Sequence, residues 1–124
     1  MPIDDKIKLK NPERAIMRIR KNDSSFNILT DEEILSAAKT ADALAHPARI
    51  KMLQFILKAN AERKIVTNKD VVAAFEYSQA TVSQHLSKMI IGGILETKKQ
   101  GTSTCYFVKA GSLVSFSKTI LKVK

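Results

Sequence analysis

The sequence predicts a mainly α-helical domain that closes with one small β-hairpin and a final helix. Three observations carry this. Helix-start signals precede amphipathic runs at Thr30, Pro47, Thr67 and Ser78; Gly92-Gly93 stops the last of those runs; and residues 94–108 alternate about Lys98-Lys99-Gln100-Gly101. A chain of 124 residues is one domain, large enough for a core and too small for a second independent one. At 44% apolar residues it belongs with folded rather than disordered chains, and it has no internal repeat or low-complexity tract.

The elements follow in order. Residues 1–30 form an N-terminal extension, with an edge-strand alternation at 6–10, a break at Asn11-Pro12, a short basic helix at 13–21 and a turn at 22–25. Thr30-Asp31-Glu32-Glu33 is a capping box, so a first helix starts at Asp31 with Ile34, Ala37, Ala38, Ala41, Leu44 and Ala45 at near-helical spacing. Pro47 suits the first turn of a second helix, where its missing amide hydrogen costs nothing. His46 just before it suits a capping role better than ligation. Ile50, Leu53, Phe55, Ile56 and Leu57 supply that helix's buried side, and it ends near Asn60.

Thr67-Asn68-Lys69-Asp70 caps a short third helix that stops at about Glu76, and Tyr77-Ser78 opens the fourth. A connection of two or three residues forces these two into the sharp crossing of a helix-turn-helix. On the fourth helix Val82, Leu86, Met89 and Ile90 fall on one side, with Ala80, Ser83, Gln84, Ser87 and Lys88 on the other. Residues 94–98 and 103–108 then form the hairpin, with Gly101 permitting its turn. The domain proper therefore spans 31–110. In the C-terminal segment 111–124, Leu113, Phe116, Ile120 and Val123 repeat at intervals of three or four and form one apolar stripe, suited to dimerisation through terminal helices or to capping the monomer core.

Charge and cysteine content narrow the function. Twenty-one Lys and Arg against twelve Asp and Glu give +9, and from Gly101 onward there are four Lys and no acid. That excess suits a polyanionic partner, although solubility alone also produces basic surfaces. One cysteine, Cys105, rules out an intrachain disulfide, and no N-terminal stretch has the apolar core of a signal peptide or membrane span, so a cytoplasmic location without a membrane partner is expected. Cys105 itself reads as a buried inert thiol or as a sensing one. An enzyme would need Cys105 paired with His46 or His85, and neither histidine lies near it in sequence or has a flanking acid.

Three segments in order, Ala43-Leu44-Ala45-His46-Pro47-Ala48-Arg49-Ile50, Ser78-Gln79-Ala80-Thr81-Val82-Ser83-Gln84-His85-Leu86 and Gly93-Ile94-Leu95, resemble the ArsR/SmtB family of winged helix-turn-helix regulators. The resemblance covers roughly residues 40–110. It implies a homodimeric transcriptional regulator, a repressor, that binds a palindromic operator in double-stranded DNA with the 78–91 helix in the major groove and the 96–106 wing on the backbone. By the same match Ser78, Gln79, Thr81, Ser83 and Gln84 contact bases and phosphates. The side-chain chemistry agrees: Gln pairs with adenine, Thr meets a thymine methyl, and hydroxyls near a helix start hold phosphate. Lys88, Lys98 and Lys99 supply backbone charge, and Thr102 and Ser103 wing hydrogen bonds. His85 borders the apolar side and serves either packing or a phosphate contact.

Two departures bear on effectors. Thr67-Asn68-Lys69 stands where many metal-sensing members carry Cys-x-Cys, and the final helix lacks His, Asp and Glu. No metal or cofactor is therefore expected, and any small-molecule effector is left without a legible site. The competing class is a winged-helix protein-interaction module that does not read DNA sequence, since fold does not fix function.

Overall fold

The computed structural model describes residues 28–123. The strand, helix and turn expected at 6–10, 13–21 and 22–25 lie outside the described residues. The elements are α1 (Asp31–Ala43), α2 (Pro47–Ala61), α3 (Asn68–Ala74), α4 (Gln79–Ile91), β1 (Leu95–Gln100), β2 (Ser103–Val108) and α5 (Ala110–Ile120). A mainly α domain with one antiparallel hairpin is what the sequence predicts.

The capping signals are realised as geometry. The Thr30 amide donates to Glu33 Oε1 at 2.9 Å and the Glu33 amide to Thr30 Oγ1 at 3.1 Å, closing the box that starts α1. The backbone N–H of Thr30, then Lys122 at 2.9 Å, hold the Glu33 carboxyl below its ordinary range. That second contact ties the start of α1 to the chain just past α5. His46 caps α2 by accepting from the Ala48 amide at 3.1 Å, with Pro47 in the first turn. Thr67 and Asp70 form a second box at α3. This helix stops at Ala74, two residues short of Glu76, because Phe75 is extended. The link to α4 is consequently the four residues 75–78 rather than two or three.

The core lies where α2, α3, α4 and the base of the hairpin converge. Met52, Ile56, Val66, Val71, Val82, Leu86, Met89, Ile94 and Leu95 are each 2% exposed or less. On α2 the inward stripe is Ala48, Met52, Leu53 and Ile56, and Ile50 and Leu57, seven residues apart on the opposite face, are exposed, contrary to expectation. Ile90 is likewise exposed, because the buried stripe of α4 is the narrow set Val82, Leu86 and Met89. On α1 the buried residues are Thr40 and Ala43; Ile34, Ala37, Ala38 and Leu44 are half-buried, and Ala41 and Ala45 exposed.

Gly92 and Gly93 end α4 in a Schellman arrangement, with Ile94 N–H to Met89 O and Gly93 N–H to Ile90 O, both at 3.0 Å. Gly93 takes φ +81°, a left-handed conformation that favours glycine. Gly92 lets α1 approach: a Cβ there would fall 2.4 Å from the Ala43 Cβ.

β1 pairs with β2 from Leu95↔Val108 to Gln100↔Ser103, two residues further along β1 than expected. The far edge of β2 is occupied as well. The Tyr106 amide donates to Val66 O at 2.9 Å, and Thr67 and Cys105 form an isolated bridge. From the end of α2, Asn60 Nδ2 donates to Tyr106 O at 3.3 Å while its Oδ1 accepts from the Val108 amide at 2.9 Å. These bonds fix the wing's base to the helical body. Cys105 is buried, with Sγ 3.8 Å from Gln100 Oε1.

α5 buries no residue completely. Of the stripe expected at Leu113, Phe116, Ile120 and Val123, Leu113 packs on the monomer's own core, Phe116 is half-buried and Ile120 is exposed. Val123 falls beyond the helix, which ends at Ile120, so the stripe is one turn shorter than the spacing suggests.

Candidate nucleic-acid interface

Burial of Val82, Leu86 and Met89 turns the opposite side of α4 to solvent. Gln79, Ala80, Ser83, Gln84, Ser87, Lys88 and Ile91 are all exposed there. Ser83, Gln84, Ser87, Lys88 and Ile91 line one shallow depression. Between Gln79 and Thr104 the one acidic residue is Glu96, at the foot of the wing, so carboxylates do not oppose an approaching phosphate along this face.

The hydroxyl groups differ in what they have left to offer. Ser78 Oγ accepts from the Thr81 amide at 3.1 Å and donates to Thr81 Oγ1 at 3.0 Å, so it is occupied as the N-cap of α4. The Thr81 hydroxyl, accepting that bond, keeps its own proton to donate. Ser83 Oγ accepts from Asn68 Nδ2 at 3.2 Å, a side-chain brace between α3 and α4. Gln79 and Gln84 project from the exposed face without such ties.

His85 sits at the flank of this face rather than on it. It is half-buried, its ring 4.7 Å from that of His46 and 6.2 Å from that of Tyr77. Burial first, then the neighbouring His46 and Arg49 charges, lower its pKa from the ordinary 6.5. Tyr77 stacks at 6.1 Å on Phe75, whose ring meets Phe55 edge-on at 5.7 Å. Four rings thus run from α2 through the α3–α4 link to the middle of α4, and a fifth, His46, leads back to the N-cap of α2; contacts of this kind hold the helix-turn-helix crossing. Arg49 Nε lies buried in the same region without a hydrogen-bond partner among the described residues.

In the wing, Lys98 lies 5.4 Å from the Phe107 ring centroid, while Lys99, Gln100, Thr102 and Ser103 are exposed toward the tip. Strand alternation sends Lys98 and Lys99 to opposite faces. Among the described residues no group of three or more His, Cys, Asp or Glu is placed to hold a metal, and no helix is long and apolar enough to cross a membrane.

The structure therefore brings Gln79, Thr81, Ser83, Gln84 and Lys88 onto one helix and places Lys98, Lys99, Thr102 and Ser103 on a separate hairpin anchored to the same core. Asn60, Asn68 and the ring series are the supporting residues the sequence does not announce. Asparagines at a helix end and at a first helical position carry no signal of a partner elsewhere in the chain.

Residues 46–97 match the family model described as bacterial regulatory protein, arsR family. Over these residues, from the start of α2 into the wing, the chain is similar to the arsR family of bacterial regulatory proteins. An ArsR-like transcriptional regulator from Rhodococcus sp. RHA1 superposes with a TM-score of 0.61 at 19% identity, over 69% of this chain and 76% of that one. The homodimeric winged helix-turn-helix DNA-binding domain of a possible ArsR-family regulator from Mycobacterium bovis gives 0.56 at 20% identity, over 69% and 76%. Reduced HlyU from Vibrio cholerae gives 0.55 at 19%, over 76% and 96%. At these identities the likeness is one of fold. A search of curated protein sequences returns no match.

Proposed function

We propose that this chain is an ArsR-family, sequence-specific repressor that binds a palindromic operator as a homodimer, with α4 in the major groove and the wing along the backbone. The observation that carries the proposal is the outer face of α4: exposed, free of acids, and bearing two unengaged glutamines over a buried stripe that fixes the helix's orientation. Gln79 and Gln84 supply base-edge hydrogen bonds, Thr81 and Ser83 supply hydroxyl contacts, and Lys88, Lys98 and Lys99 neutralise phosphates. Ser78 acts through its cap, and His85 by supporting the flank of α4.

Two-fold symmetry gives such a reader both affinity and half-site spacing, with α4 copies about 34 Å apart. The exposed apolar residues Val114, Ile120, Leu121 and Val123 at the C-terminal end offer the surface for a second copy. The similar domain from Mycobacterium bovis is described as homodimeric, which supports the same reading here. Selection from a random duplex pool at about 150 mM salt tests it, since nonspecific phosphate attraction is weakened there. Enrichment of a palindrome with half-sites about one helical turn apart is expected. A pool that yields no sequence would favour a protein-interaction role for the same winged helix.

A further inference from the structure

Three basic side chains meet at the flank of α4. His46 is the N-cap of α2, Arg49 lies in the first turn of that helix, and His85 comes from the middle of α4, with the two imidazole rings 4.7 Å apart. Burial, and then the charges of His46 and Arg49, disfavour a proton on His85, and no carboxylate is among the groups that act on it. The remaining titratable neighbour is Tyr77, its ring 6.2 Å away. Asp42 at the end of α1 and Glu76 in the α3–α4 link, the acids nearest in sequence, make no ion pair with the three among the described residues.

The cluster is also incomplete in its hydrogen bonds. Arg49 Nε is buried without a partner among the described residues, although the residue as a whole is only half-buried. Holding a cation in this way costs stability that no ion pair among the described residues offsets. On the exposed His46 ring, Nδ1 accepts from the Ala48 amide, so the ring proton sits on Nε2 as a donor.

We propose that His46 and Arg49, backed by His85, hold one backbone phosphate of the bound duplex beside α4. The proposal rests on the DNA reading of α4 and adds the start of α2 to the interface. A helix seated in a major groove about 12 Å wide has a phosphate strand along each flank. Guanidinium and imidazole N–H groups both donate to phosphate oxygens, and an anion among three basic groups offsets their mutual repulsion. The added negative charge also favours a proton on His85, so duplex affinity rises as pH falls through the range in which the complex holds that proton and the free chain does not.

The test is fluorescence anisotropy of the full chain with a labelled duplex of random sequence, with the selected operator and its scrambled form in parallel. Arg49→Met keeps an apolar stem and removes the charge. Its affinity should fall about tenfold, alike on all three duplexes, and the slope of log affinity against log salt should become shallower by about one. It should melt no lower than wild type, because it buries no unpaired donor, and Arg49→Lys should recover the slope. His46→Asn retains a capping side chain and loses the ring donor, so it should weaken every duplex about fivefold. Between about pH 7.5 and 6, wild-type affinity should rise about threefold more than that of His85→Phe.

An unchanged salt slope in Arg49→Met, or a loss confined to the operator, would overturn the phosphate contact. With the operator still preferred over its scrambled form, either result leaves the repressor function standing. Matching pH profiles in wild type and His85→Phe would overturn the proton uptake alone. A wild-type chain that binds no duplex would sink the repressor function and the phosphate contact together.

Discussion

Replacing Gly92 by alanine tests the packing that holds α1 against the end of α4. Gly92 has φ −75° and ψ −4°, a conformation open to any residue, so backbone strain is not at issue. The added Cβ would meet the Ala43 Cβ at 2.4 Å, Lys39 O at 3.1 Å and Lys88 O at 3.3 Å. Carbon atoms settle at about 3.5–4.0 Å, so α1 must withdraw by about 1 Å or more. Overpacking of this kind costs about 1–3 kcal/mol. The reduced freedom of the unfolded chain on replacing glycine by alanine offsets about 0.4–1 kcal/mol of that. A net loss of about 1–2 kcal/mol remains, read as a lower urea midpoint at unchanged slope, or a fall in Tm of several degrees. Ala43→Gly removes the opposing methyl, so the double variant should be more stable than the sum of the single losses predicts, by about 1 kcal/mol. A Gly92→Ala protein as stable as wild type, or strict additivity in the double variant, would refute the described α1–α4 contact.

Three further outcomes follow from the geometry. Asn60→Ala removes both bonds to β2 and leaves the Val108 amide without its acceptor, at a cost of about 1–3 kcal/mol in urea unfolding; a change under about 0.5 kcal/mol would mean that Asn60 does not anchor the wing. For His85 the folded pKa lies below the ordinary 6.5, so the fold favours the neutral ring. Its contribution is present above pH 6.5 and is lost as pH falls through the lowered folded value. The fall in urea midpoint from about pH 7.5 to 5.5 should therefore be shallower in His85→Phe than in wild type, and an identical pH profile would remove His85 as its source. Replacing Lys98 and Lys99 together by alanine should make the slope of log affinity against log salt shallower by about two on any duplex, and an unchanged slope would take the wing out of the interface.

The helix starts were legible because each rests on local chemistry: Thr30 with Glu33, His46 with Pro47, Thr67 with Asp70, and Ser78. The winged arrangement followed from their order and from Gly92-Gly93. Burial was less legible where apolar residues surround a helix. Sequence places Ile50, Leu57 and Ile90 inside as readily as Met52, and only the angle at which neighbouring helices cross decides among them. The exposed face of α4 was readable from its alternation with Val82, Leu86 and Met89. The tasks of Ser78 and Ser83 were not, since each hydroxyl's bond depends on a neighbour brought near by folding. The role of Asn60 was hidden for the same reason: its partners Tyr106 and Val108 lie 46 and 48 residues further along the chain, and nothing in either local sequence marks the other.

The most direct test of the central claim is the affinity of Gln84→Ala against wild type, on the selected operator and on a scrambled duplex of equal composition, at about 150 mM salt. Gln84 is exposed on α4 and supports no packing, so the account predicts a loss of about 1–3 kcal/mol on the operator and none on the scrambled duplex. Equal loss on both duplexes, or no loss on either, would contradict base reading by this face of α4.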